Sequence, residues 1–356
     1  MRVLVTGASG FLGSWIAEVL TKDKHQVRAL VRKTSNTTFL EKLGGVELVY
    51  GSVEDAPSVN NAMADVDAVV HSAGLVKARS VTEFQEVNVQ GTVNLLDAAE
   101  KRGAALKRFV HVSSLEACGP SRDGTPVNVT QEEPCTTYGR SKLAAERAVI
   151  ARKDKLPVTI LRPGAIFGPR DAEILEAFKT VHRGLLPTIA GGTALGVFIH
   201  ASDCARACVD AIAADVPSGS VYFIVDDTGP VTQRAFLEMV EAALDKRALL
   251  RISLPKSVLK QVAFGVQEGQ PMGDWFDHWL AGHTTPPGGE TFAELGARGV
   301  TALNRALLLE APVLIVAHGA LFRALRGHMG LPTGTRTANA KPYFCEPGQP
   351  WALTEG

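Results

Sequence analysis

The first 170 residues alternate between two hydrophobic periods. Short β-branched runs at 3–6, 26–31, 46–50, 68–71, 108–113 and 158–162 end in Gly, Ser or Asn, and amphipathic stretches at 13–21, 84–102 and 138–151 lie between them. This alternation predicts an α/β fold with a doubly wound parallel sheet. A continuous apolar run such as Ala68-Val69-Val70 suits a strand covered on both faces. From about 170 to 258 the alternation loosens. The pattern there predicts helices at 172–183, 202–214 and 232–244, strands at 196–199 and 221–225, and a turn at Gly191-Gly192. In a doubly wound enzyme such a stretch builds a small substrate cap. After about 260 turn residues crowd 265–289, and a helix at 290–309 and a buried strand at 313–317 follow.

The segment Thr6-Gly7-Ala8-Ser9-Gly10-Phe11-Leu12-Gly13 joins the first strand to the first helix. Gly7 permits a tight turn, Gly10 lets the backbone approach a pyrophosphate, and Gly13 lets helix and strand pack closely. The helix N-terminus then offers free N–H groups to phosphate. Thr6, Gly7, Ser9, Gly10, Phe11, Leu12 and Gly13 are therefore the candidate dinucleotide contacts; the alternative is an ordinary strand-to-helix turn. The second strand ends Val31-Arg32-Lys33, with no acid before Glu41. A carboxylate there would hold the ribose of NAD, whereas a guanidinium suits the 2′-phosphate of NADP. Arg32 favours NADP(H) over NAD(H), unless it is merely a solvated side chain.

Tyr138 and Lys142 lie four apart on a predicted helix and share one face. An ammonium beside a phenol is expected to lower the phenol's pKa, so the pair can exchange a proton with a substrate hydroxyl. Ser114 ends a strand and is placed to orient the reacting oxygen. A lone pair of this spacing is often accidental; its occurrence downstream of a dinucleotide turn and a strand-ending Ser-Ser argues otherwise.

Charge and composition narrow the classes. Lysine plus arginine equals aspartate plus glutamate at 37 each, so no net charge points to nucleic acid. No run is long and apolar enough to span a bilayer. The chain shows no signal-peptide pattern, and its five cysteines lack metal-ligand spacing. A cytoplasmic location and no metal site are the expectations, with Cys204 and Cys208 as small buried residues on one helix face.

The motifs TGASGFLG (6–13), HSAG (71–74), VNVQGTVNLL (87–96), VSS (112–114), YGRSK (138–142), LRPGAIFGP (161–169) and FIHASDCA (198–205) occur in the order and spacing of a known family. Residues 1 to about 258 resemble the extended short-chain dehydrogenase/reductases, in the neighbourhood of hopanoid-associated sugar epimerases, dihydroflavonol reductases and 3β-hydroxysteroid dehydrogenases. The resemblance implies Ser114 as the substrate-orienting hydroxyl, Tyr138 as general acid/base, and Lys142 as tyrosine activator and holder of the nicotinamide ribose. It places Ala73 against the cofactor, Pro163 near the nicotinamide, and Val53 as a backbone contact to the adenine. His200 and Asp203 look structural. Ser52 stands where the family often has an adenine-contacting Asp. The substrate implied is a sugar nucleotide or a steroid- or flavonoid-like alcohol or ketone, and Leu75, Val76 and Phe167 are candidates for an apolar pocket. A homodimer through the helices at 89–102 and 138–151 is also implied.

Residues 259–356 resemble the second half of a histidine phosphatase of phosphoglycerate-mutase type, with His318 ending a strand as that family's second histidine does. The family's Arg-His-Gly does not occur in the sequence, and Gln261 stands at its acid position. An amide cannot protonate a leaving group, so phosphatase activity is not expected. Two readings stay open beside the reductase: a cofactor-binding protein with impaired catalysis, and a phosphatase-related protein lacking its nucleophile.

Overall fold

The computed structural model describes residues 1–121, 127–227, 229–254, 294, 343–346 and 352–355. It divides the chain into two compact units, Met1–Pro255 and Lys256–Gly356. In the first, the strands are β1 (Arg2–Thr6), β2 (Gln26–Val31), β3 (Val46–Tyr50), β4 (Ala68–His71), β5 (Arg108–Val112), β6 (Val158–Pro163), β7 (Ala165–Phe167), β8 (Leu185–Ile189), β9 (Leu195–Gly196), β10 (Phe198–His200), β11 (Ser220–Ile224), β12 (Val231–Thr232) and β13 (Leu250–Leu254). The helices are α1 (Phe11–Lys22), α2 (Thr38–Glu41), α3 (Ala56–Ala62), α4 (Val81–Phe84), α5 (Gly91–Glu100), α6 (Thr137–Ile150), α7 (Glu173–His182), α8 (Ala201–Ala213) and α9 (Gln233–Ala243).

Seven parallel strands form the central sheet in the order β11-β6-β5-β4-β1-β2-β3. The order reverses at β1, which puts the binding crevice at the carboxyl ends of β1 and β4. Period-two alternation sorts the side chains into two cores. Val3, Val5, Val70, Val110 and Val112 pack with α1 and α8 on one face. Leu4, Val69, Phe109 and Ile160 pack with α3, α5 and α6 on the other. Cys204 and Cys208 are buried free thiols on the inner face of α8, as expected. A smaller cluster of Val181, Leu186, Leu237 and Val240 joins α7, β8 and α9 in the cap region.

One predicted helix is not continuous. The stretch expected at 84–102 contains a π-turn, Gln85–Gln90, between α4 and α5. The apolar pattern runs through such a turn almost unchanged, so periodicity does not reveal it. The strand predicted at 196–199 is broken into β9 and β10, which pair with different partners. In the second unit, β14 (Tyr343–Glu346) and β15 (Ala352–Glu355) form an antiparallel pair. The predicted turn region 265–289, helix 290–309 (Glu294 apart) and strand 313–317 lie outside the described residues, as do Gln261 and His318.

Glycine is demanded where α1 leaves β1. A Cβ on Gly13 would overlap the Gly7 carbonyl oxygen, which is backbone and cannot yield. Gly13→Ala is expected to destabilise the first unit by about 1–3 kcal/mol through overpacking. Chemical denaturation checks this; an unchanged midpoint and slope would contradict the packing described.

Candidate active site

The glycine turn has the shape of a phosphate cradle. Gly7 has φ +71°, and a Cβ there would lie 2.8 Å from the Ala73 backbone nitrogen. A Cβ on Gly10 would meet only the Gly7 carbonyl oxygen, at 3.1 Å. Space is therefore kept at Gly10 that the chain itself does not fill. Gly10 caps α1 without a side-chain hydrogen bond, and the first turn of α1 carries no acid. The N–H groups of Phe11, Leu12 and Gly13 precede any intrahelical acceptor. This donor set fits a dinucleotide's phosphates. Ser9, Phe11 and Leu12 are half-buried along the turn.

Around this cradle the other candidates take different positions. Arg32 and Lys33 follow β2 and are exposed. Among the described residues Arg32 makes no ion pair. Val53 is buried against Gly91, and its carbonyl accepts from Asn94 Nδ2 at 2.9 Å, so that oxygen already has a partner. Ala73 N donates to Thr6 Oγ1 at 3.3 Å. Pro163 ends β6 beside Ile224. Val76 is 64% exposed, while Phe167 packs edge-on against Phe198 and His200. His200 caps α8 through Ser202, a structural role as expected.

Tyr138 sits in the first turn of α6, where Thr136 caps the helix by accepting from Gly139 N at 2.9 Å. The turn that Ser114 opens packs on this end of α6, where Thr136 Oγ1 donates to Glu116 Oε2 at 2.5 Å. Ser114 Oγ accepts from Glu116 N at 3.2 Å, which leaves its own proton free to donate. Lys142, one turn on, is 5% exposed and its Nζ donates to the Val112 carbonyl at 2.7 Å.

The expected lowering of the tyrosine pKa is not what this arrangement produces. Burial pushes Tyr138 up to about 12; the nearby Ser114 hydroxyl opposes this, and the Glu116 charge adds to it. The Lys142 ammonium is not among the groups acting on the phenol. Its own burial pulls Lys142 down to about 8, against the Glu146 carboxylate, which holds it up. Desolvation outweighs the local charges at both groups.

A buried file of hydrogen bonds connects the cradle to this pair. Thr92 Oγ1 donates to the Asn88 carbonyl at 2.7 Å, so it accepts from His71 Nε2 at 2.9 Å. With Nε2 carrying the proton, the neutral ring accepts at Nδ1 from Thr6 Oγ1 at 2.7 Å, whose oxygen also accepts from Ala73 N. These directions assign one tautomer to a neutral His71. Burial first, and the Lys142 charge second, pull His71 down to about 3. From the π-turn, the Asn88 side chain accepts from Leu75 N at 2.7 Å and donates to Leu75 O at 3.0 Å and Ser141 Oγ at 2.9 Å. It thereby ties the loop after β4 to α6. His111 lies beside His71, ring centroids 5.2 Å apart, with both nitrogens buried and unpartnered.

A family model described as the NAD dependent epimerase/dehydratase family matches residues 3–224. This chain belongs to that family. A second model, the histidine phosphatase superfamily (branch 1), matches residues 242–338. It is 31% identical over 249 residues to the 4-hydroxy-2-methyl-3-oxo-4-farnesyl-3,4-dihydroquinoline-1-oxide ketoreductase of Stigmatella aurantiaca, covering 67% of this chain and 72% of that one. It is 34% identical over 207 residues to the ceramide reductase of Caulobacter vibrioides, covering 58% and 59%. Among solved structures it is similar to the dTDP-glucose 4,6-dehydratase DesIV of Streptomyces venezuelae, solved with NAD bound. There the identity is 26%, the TM-score 0.64 and the coverage 72% of this chain and 85% of that one.

In this epimerase/dehydratase chain the sequence alone does not single out Asn88, His71 or Thr92. The signal for Asn88 is the π-turn, a feature often found at functional sites. His71 also carries a pH signature. Its folded pKa, about 3, lies below the ordinary 6.5, so the unfolded chain binds the extra proton. Stability should therefore be intact above pH 6.5 and fall towards pH 3, by up to about 1.4 kcal/mol per pH unit from this residue. Urea titrations between pH 4 and 8 should show a shallower fall in His71→Gln; an identical slope would contradict a neutral, buried His71.

Proposed function

We propose that this chain is an NAD(P)-dependent oxidoreductase that transfers hydride at a secondary alcohol or ketone of a small molecule, with Tyr138 as general acid/base. The observation that carries this reading is Tyr138 at the start of α6, packed on the turn that Ser114 opens and one helical turn from the buried Lys142, in a chain with a glycine cradle of the right chemistry.

A bound nicotinamide supplies or accepts the hydride. The chain's own groups manage the proton. With its pKa pushed up to about 12, Tyr138 holds its proton at neutral pH and is set to give it to the oxygen of a ketone being reduced. Ser114, whose proton is free, donates to that same oxygen and fixes its position. As Tyr138 loses its proton, the Ser114 hydroxyl stabilises the phenolate. In the oxidising direction the same atoms run in reverse, and epimerisation would combine the two. Similarity to a ketoreductase and a ceramide reductase supports a ketone or secondary alcohol as substrate.

Arg32 and the lack of an acid at the end of β2 favour NADP(H), although DesIV carries NAD. We assign the glycine turn, Ala73, Lys142 and Pro163 to the cofactor side of the site. The 242–338 segment is given no chemistry in this reading, because Gln261 is an amide and the sequence has no Arg-His-Gly. Among the described residues no helix is long and apolar enough to cross a membrane. The large exposed apolar side chains do not fall on α5 or α6, so the homodimer expected through those helices gains no support from their outer faces.

Tyr138→Phe is expected to lower kcat for ketone reduction by about 10²- to 10⁴-fold while NADPH affinity is kept; steady-state kinetics and fluorescence titration check it, and unchanged turnover would sink the assignment. Arg32→Ala should weaken NADPH by about tenfold and leave NADH unaffected. Equal effects on both dinucleotides would remove the NADP preference.

A further inference from the structure

Tyr138, Lys142 and Glu146 fall at i, i+4 and i+8 on α6, so all three share one face. That face turns inward. Glu146 is 3% exposed, and across from it Arg162 of β6 is 2% exposed. The two form a forked pair: Arg162 Nε donates to Glu146 Oε1 at 2.9 Å and its terminal nitrogen to Oε2 at 2.6 Å. The third direction of the guanidinium donates to the Val129 carbonyl at 2.8 Å. The geometry therefore locks the carboxylate from one side and leaves its charge one helical turn from Lys142.

A buried ion pair is not retained for stability alone, because an apolar pair of similar volume serves about as well. Its placement beneath the lysine suggests another use. The groups facing Lys142 are few. On α6 they are Tyr138 and Glu146. From β4 and β5 come the imidazoles of His71 and His111, both kept neutral by burial. From the π-turn comes the Asn88 amide, whose oxygen lies by Gly74 as does Lys142 Nζ. Beyond Glu146 are Arg162 and the Cys118 thiol, which burial pushes up, and Glu116 acts on Tyr138. Lys142 Nζ reaches one acceptor, the Val112 carbonyl. Of these groups Glu146 is the one anion that supports the lysine's charge.

We propose that Glu146, clamped by Arg162, is a positioning residue for the reaction, whose buried carboxylate keeps Lys142, on the cofactor side of the site, in the ammonium form. The inference rests on the oxidoreductase reading for its purpose, but its physical content concerns Lys142 and can be read without turnover. The full chain is labelled with [13Cε]lysine, and the Lys142 resonance, assigned with Lys142→Arg, is titrated with pH. The wild type should titrate near 8, where burial and Glu146 balance. In Glu146→Gln the midpoint should drop by about 1 unit or more, the size expected for losing an adjacent opposite charge. Glu146→Asp, which keeps the charge, should restore most of it. The alkaline limb of kcat for NADPH-dependent ketone reduction should move by the same amount in the same direction. If Glu146→Gln does not fold, Glu146→Gln/Arg162→Met removes both charges together and should still titrate below the wild type. A Lys142 midpoint unchanged in the folded Gln variant overturns the proposal. A wild type that reduces no ketone overturns the functional reading instead, and the titration then still decides the electrostatic one.

Discussion

The file of hydrogen bonds from Thr6 through His71 and Thr92 to Asn88 sets the distance between the two halves of the site. Each of its members lies on a different element: Thr6 ends β1, His71 ends β4, Thr92 is on α5 and Asn88 is in the π-turn. All are buried, so each polar atom must find its partner in the protein. The phosphate cradle begins one residue after Thr6, and Asn88 grips Ser141 in the helix that carries Tyr138. The cradle and the helix that carries Tyr138 are thus held in register by the protein's own hydrogen bonds. Such pre-organisation is what positional catalysis requires.

Burial is the dominant electrostatic fact on this face of the sheet. Lower down, the α5–α6 side is apolar, with Leu4, Val69, Phe109 and Ile160. At the carboxyl ends of the same strands it turns polar, with Thr6, His71, His111, Ser113 and Arg162, all under a lid of helices. The apolar layer below and the helices above keep the dielectric low. Imidazoles stay neutral, the phenol keeps its proton, and the lysine comes near to losing its own. The Glu146–Arg162 pair is the counterweight that this environment tolerates because its hydrogen bonds are complete.

Much of this was legible in the sequence, and the limits have physical causes. The central strands are visible because Val, Ile and Leu runs between turn residues have no other stable use, and their ends match to within a residue or two. The glycine turn is visible because each glycine answers a separate steric demand, as Gly7 and Gly13 show. The short helices α2 and α3 are missed because one or two turns leave little period to detect. The π-turn is missed because its one-residue insertion barely disturbs an amphipathic pattern. The sign of the Tyr138 shift is misjudged because charge can be read along a helix while desolvation cannot. The sequence does not link Glu146 to Arg162; only the packing of α6 on β6 makes them a buried pair. The join to a histidine-phosphatase segment, by contrast, was carried by motif order, which needs no packing to be seen, and the family match over 242–338 supports it.

The central claim is that the cradle after β1 holds a dinucleotide beside Tyr138 and Lys142. Its most direct test is an equilibrium titration of the full chain with NADPH, and then NADH, followed by nicotinamide fluorescence in the wild type and in Gly10→Val. The account predicts saturable binding of one dinucleotide per chain, with enhanced emission, and loss of that binding when the added side chain fills the space kept at Gly10. Absence of binding by the folded wild type, or equal binding by Gly10→Val, would contradict it.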